Sequence, residues 1–190
     1  MPRPPPPFTP MSVRVATYIG SLREPSVAIV TAFSLLNPGV HSEIWIHNYR
    51  VTARDHRFGE DKHRCMDIIP LDENLDTSRW HVVNIPITDS REATNLIEEA
   101  LASPAVYHYS IPELAMPKFI LDSIDTDLDC CHPESWGTLF CSQFVLLYLR
   151  RCAIAGILDV PKAKQKLLWS VNSKGCLPSR LQIITDRIFK

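Results

Sequence analysis

Along residues 12–19, Val13, Val15, Thr17 and Ile19 alternate with Ser12, Arg14, Ala16 and Tyr18. A period of two sends successive side chains to opposite faces of a pleated strand, so a strand is predicted here. Residues 26–36 are apolar at helical spacing and stop at Asn37-Pro38-Gly39, which predicts a short helix ended by a strong breaker. Alternation returns over 40–46, with His41, Glu43 and Trp45 opposite Val40, Ile44 and Ile46. His47-Asn48 then reads as a turn and residues 49–54 as the return strand of a hairpin. Two further strands are expected over 65–71 and 81–87, the second led by Trp80.

Downstream the period changes to that of helices. Ala93, Leu96, Ile97, Ala100 and Leu101 form one apolar stripe over 91–102, with Asp89 or Ser90 placed to cap the first N–H groups and Pro104 to end the helix. Residues 107–119 hold two prolines and two tyrosines and read as a loop or broken helix, and 122–135 as an acidic loop. An extended apolar stretch then gives way to a helix predicted to be amphipathic. It carries Cys141, Val145, Tyr148 and Cys152 on one face and closes at Ala155-Gly156. A short basic helix is expected over 162–168, and Leu177-Pro178-Ser179 reads as a cap for a final helix over 180–189.

A chain of 190 residues is long enough to bury a substantial core. No internal repeat or linker divides it, so one domain is expected over 12–190, preceded by a proline-rich flexible arm over 1–11. Hydrophobic residues make up 45% and charged residues 22%, as in an ordinary globular protein. The formal net charge is −1 and there is no basic stripe with interleaved aromatics, which argues against nucleic acid as a partner. No apolar run approaches the ~20 residues of a spanning helix, so no stable membrane anchor is expected. The N-terminus lacks the apolar core of a signal peptide, which predicts a cytoplasmic protein whose six cysteines stay mostly reduced.

Of those cysteines, Cys141 has the environment that favours a thiolate. The first N–H groups of a helix have no partner within it, and the helix dipole is positive at that end. Both favour S⁻ over SH. A nucleophilic cysteine also needs a base, and His41, at the start of a strand and on the same side as Glu43 and Trp45, is the best placed of seven histidines. It is expected to project from a sheet edge toward the helix start. Zinc is the competing chemistry: Cys130-Cys131-His132 with His63 and Cys65 supplies suitable atoms, but at the wrong spacing for the usual knuckles. Asp125 and Asp127 could bind a cation weakly, and a solvated acidic loop explains the pair equally well. Neither a glycine-rich phosphate loop nor a nucleophilic serine elbow is present, and no cofactor or metal is expected.

The order of these elements resembles that of the circularly permuted NlpC-like (YiiX-type) cysteine hydrolases of the papain-like superfamily. Five short stretches carry the resemblance: 13–18, Val40-His41-Ser42-Glu43-Ile44, the tryptophan-led strand from Trp80 to Pro86, Leu139-Phe140-Cys141-Ser142-Gln143-Phe144, and Leu177-Pro178-Ser179-Arg180-Leu181. The resemblance implies an α+β papain-like fold, a central antiparallel sheet packed against the helix that bears the nucleophile. It implies Cys141 as nucleophile and His41 as base. The family's glutamate two residues after the cysteine is Gln143 in this chain, and the third, histidine-orienting group is not obvious. Thr52 and Arg54 lie nearby, and Asp55 is taken for the role because a carboxylate best stabilises an imidazolium. The expected activity is cleavage of a peptide, isopeptide or related amide bond in a protein or peptide substrate. Lipid amide or ester cleavage, acyl transfer, and a catalytically inactive binding module are the alternatives.

Overall fold

The structure, a computed structural model, describes residues 13–19, 39–53, 66–72, 74–103, 106–107, 132–133, 136, 138–173 and 176–190. The proline-rich arm, the helix expected over 26–36, and Asp55, His63, Cys65, Asp125, Asp127, Cys130 and Cys131 lie outside the described residues.

The fold is α+β. Five strands form an antiparallel sheet: β1 (Val13–Ile19), β2 (Gly39–Ile46), β3 (Tyr49–Ala53), β4 (Met66–Pro70) and β5 (Trp80–Ile85), in the order β4-β3-β2-β1-β5. The hairpin predicted around His47-Asn48 is present, with Ile46 paired to Tyr49, Trp45 to Arg50 and Ile44 to Val51. His47 takes the left-handed backbone conformation that a two-residue turn demands, at φ 51°. β2 lies in the middle of the sheet, so His41 stands on an interior strand instead of the edge expected for it.

Alternation separates the faces of the sheet. Val13, Val15, Ile44, Ile46, Val51, Ala53, Val83 and Ile85 point into the main core. The opposite face carries a row of large polar and aromatic groups: Arg14 lies over Trp45, Arg50 lies over Trp80, and Trp80 packs against both Trp45 and Tyr18. Trp45, between the Arg14 guanidinium and the Trp80 ring, is only 1% exposed.

Helix α1 (Ser90–Leu101) is capped by Asp89, whose carboxylate accepts the Glu92 N–H. It buries the predicted stripe of Ala93, Leu96, Ile97 and Ala100. A two-stranded parallel pair, β6 (Val106–Tyr107) with β7 (Thr138–Leu139), precedes helix α2 (Cys141–Ile154). α2 packs against β2, β3 and α1. Every residue of α2 from Cys141 to Cys152 is buried, so it is not the amphipathic helix the sequence suggests.

The two arginines of α2 are buried because backbone carbonyls of neighbouring segments receive them. The Arg150 guanidinium donates to the Leu168 and Val171 carbonyls. Arg151 donates to the Leu96 carbonyl and pairs with Glu99 on α1. Gly156, at φ 72°, closes α2 as expected. The basic segment divides into α3 (Lys162–Gln165) and a 3-10 turn (Lys166–Trp169). The last helix, α4 (Pro178–Phe189), starts two residues earlier than expected. Its N-cap is Leu177, which makes no side-chain capping bond; Pro178 supplies the start by standing where no N–H partner is needed. Among the described residues no helix is long and apolar enough to cross a membrane.

Candidate active site

The chain leaves β7 at Leu139 and turns directly into α2 through Phe140, whose backbone is extended at φ −123° and ψ 169°. Phe140 offers no side-chain cap, and the first intrahelical bond is that of the Phe144 N–H to the Phe140 carbonyl. The N–H groups of Cys141, Ser142 and Gln143 are therefore not consumed by the helix. An uncapped N-terminus with a cysteine as its first residue directs its free donors and positive dipole toward the sulfur. The Ser142 hydroxyl donates to the Cys176 carbonyl at 2.5 Å and ties this turn to the segment before α4.

His41 reaches the same point from the start of β2. Its imidazole lies close enough to the Cys141 thiol for each group to shift the ionisation of the other. Burial disfavours the thiolate, but the His41 charge, the hydrogen bond to His41, and the backbone N–H groups of Ser42 and Ser142 outweigh it and lower the Cys141 pKa. Burial likewise works against the charged imidazole. The Cys141 sulfur and the Glu43 carboxylate overcome it and raise the His41 pKa to about 10. The arrangement favours a thiolate–imidazolium pair.

The other side of the imidazole is held as well. His41 Nε2 lies 2.9 Å from the Thr52 hydroxyl and 3.1 Å from Glu43 Oε1, which leaves Nδ1 clear of both. The imidazole is 29% exposed and the Glu43 side chain only 2%. Glu43 is surrounded by donors. Arg50 Nε reaches Oε2 and Nη2 reaches Oε1, both at 2.7 Å, and the Trp45 indole N–H reaches Oε2 at 3.0 Å. Burial alone would favour the neutral acid; hydrogen bonds from His41, Arg50 and Trp45 and the His41 charge reverse this and lower the Glu43 pKa to about 2.

The sequence-predicted residues Cys141 and His41 thus come together, while Asp55 lies outside the described residues. Sequence reasoning missed Glu43 as the carboxylate in contact with His41, although the residue was part of the quoted motif. The signal was present. Residues i and i+2 of a strand share a face, and continuing the hairpin register past Ile44 and Val51 sets Thr52 opposite Glu43. A histidine at position 41 reaches both by leaning one pair along the strands. Gln143 is buried in the first turn of α2. His132 is exposed, and among the described residues no group of three or more metal-ligating side chains assembles. Comparison of the chain with protein-family models, curated proteins and solved structures finds no match.

Proposed function

We propose that the protein is a thiol hydrolase of the permuted papain-like type, with Cys141 as nucleophile and His41 as base, cleaving a peptide, isopeptide or related amide bond. One observation carries this reading: a thiol at an uncapped helix N-terminus is coupled electrostatically to an imidazole whose Nε2 is held by Glu43 and Thr52. That is the nucleophile–base–orienting-group sequence of covalent catalysis.

The Cys141 thiolate attacks the carbonyl carbon, and the carbonyl electron pair moves to oxygen. The unconsumed N–H of Cys141 is available to that oxyanion. As the tetrahedral adduct collapses, the C–N bond breaks and the His41 imidazolium gives its proton to the leaving nitrogen. The acyl-thioester is then attacked by water, which loses a proton to neutral His41. Collapse of the second adduct releases the acid and restores thiolate and imidazolium.

The test is alkylation of the native protein by iodoacetamide across pH, with Cys141→Ala as the reference. Because the sulfur is buried, the readout is the pH dependence and not the absolute rate: Cys141-dependent alkylation is expected to persist well below the ordinary thiol pKa of about 8.5. Alkylation of Cys141 that titrates near that ordinary value describes an inactive binding module and overturns the proposal.

A further inference from the structure

Arg50 touches neither Cys141 nor His41 in any described contact, yet its placement is specific. Its guanidinium stacks over the Trp80 ring at 5.3 Å and presents a two-pronged fork to a carboxylate that is almost wholly buried. The fork, the Trp45 indole and the register of the hairpin fix both oxygens of Glu43, leaving Oε1 directed at His41. Four charge-bearing groups therefore follow one another: Arg50 positive, Glu43 negative, His41 positive, Cys141 negative.

We propose that Arg50 is a positioning residue for the Cys141–His41 pair, acting through Glu43 to complete a neutral, alternating row of charges that keeps the pair ionised. The inference rests on the reading of Cys141 and His41 as the reactive pair. The physical reason is the cost of unbalanced charge in a poorly solvated site. A Glu43 carboxylate without Arg50 would leave the row with a net negative charge. Either Glu43 then takes up a proton and the imidazolium loses its support, or the thiolate forms in a negative field. The first outcome lowers the upper limit of the pH range in which thiolate and imidazolium coexist, and the second raises its lower limit. The two-pronged geometry adds direction to charge, which a lysine at position 50 reproduces only in part.

Among the described residues, the surroundings of the row contain few other charges. Across β1, Arg14 sits on Trp45, and Tyr18, opposite His41, accepts a hydrogen bond from Arg79. On β4, Asp67 is opposite Thr52. From β5 the row meets Trp80; His81, paired with Asp186, belongs to the other face in register with Thr17. From α2 it meets Cys141. The described groups that set the charge state of Glu43 are His41, Arg50 and Trp45.

The test is the pH profile of Cys141 alkylation by iodoacetamide in the full chain, comparing wild type with Arg50→Met, Arg50→Lys and Glu43→Gln. In Arg50→Met the fast-reacting range should narrow, with the rate near its acid limb falling about tenfold, the effect of about one pKa unit on thiolate fraction. Arg50→Lys should fall between that variant and wild type. In Glu43→Gln the loss of the His41 proton, followed by NMR of the imidazole, should move to lower pH. A profile for Arg50→Met that superimposes on wild type overturns the role of Arg50. If Arg50→Met does not fold, Arg50→Lys decides: a profile identical to wild type overturns the role. A wild-type profile like that of a free thiol instead removes the reading of Cys141 on which the inference stands, so the two failures are distinguishable.

Discussion

Nε2 of His41 lies 2.9 Å from the hydroxyl of Thr52, across the hairpin from the strand that carries the histidine. Together with Glu43 on its own strand, Thr52 sets the tilt of the imidazole and leaves Nδ1 clear of both. Thr52 is itself buried, so no competing water replaces it cheaply. Replacing it by valine keeps the shape and removes the acceptor. Thr52→Val is expected to lower the rate of Cys141 alkylation several-fold while costing about 1 kcal/mol of stability. Stopped alkylation assays and urea denaturation measure the two effects separately. An unchanged alkylation rate would show that Glu43 alone orients the ring.

Glu43 makes folding sensitive to acid. Its pKa is about 2 in the folded protein against 4.5 for an ordinary glutamate, because hydrogen bonds and the His41 charge outweigh its burial. A lowered carboxylate pKa means that the unfolded chain binds a proton first as pH falls. The stabilisation is fully present above about 4.5 and is lost as pH drops from there through about 2. Thermal unfolding followed from pH 6 to pH 2.5 should show a steep decline in wild type. Glu43→Gln should lower Tm at pH 6 and flatten that decline; a parallel decline in both proteins would place the acid sensitivity elsewhere.

Arg150 is a structural residue of the helix that carries Cys141. It is 1% exposed and donates to the carbonyls of Leu168 and Val171, joining α2 to the turn that follows α3. Arg150→Met fills most of the space but leaves both buried carbonyls without this donor. A loss of about 3 kcal/mol is expected in chemical denaturation, from two unsatisfied acceptors at ~1–3 kcal/mol each. A loss below about 0.5 kcal/mol would mean that water replaces the guanidinium there.

Asp89 supplies a control remote from the site. Its carboxylate accepts the Glu92 N–H at 3.0 Å and caps α1. Asp89→Ala should cost about 1 kcal/mol and leave the pH profile of Cys141 alkylation in place. A shifted profile would couple α1 to the site through Arg151 and Tyr148, which bond the Leu96 and Ala93 carbonyls.

Local pattern made much of the fold legible. The β2–β3 hairpin follows from alternation on both sides of a two-residue turn, and α1 from an apolar stripe that begins at a capping aspartate. The helix start at Cys141 follows from the change of period. The groups that hold the imidazole were harder to read. The sequence offered Asp55 by residue type, and that residue lies outside the described residues; the partners observed for His41 are Glu43, two residues along its own strand, and Thr52, diagonal to it on β3. Arg150 and Arg151 follow apolar positions and look like the solvent face of α2. They are buried because the 166–169 turn and α1 bring carbonyls against them.

By itself, then, the sequence determined the five strands of the sheet, the β2–β3 turn, the capped start of α1 and the place of Cys141 at a helix start, because each depends on residues a few positions apart. The tertiary structure decided what stands next to what. His41 and Cys141 are one hundred residues apart in the chain, and their contact requires the sheet and α2 to pack first. Glu43 and Arg50 are close in sequence, yet their charges become strong interactions only where Trp45 and Trp80 keep water away. Whether a carboxylate is solvated on a strand or dry beneath an arginine depends on the dielectric around it, which folding creates.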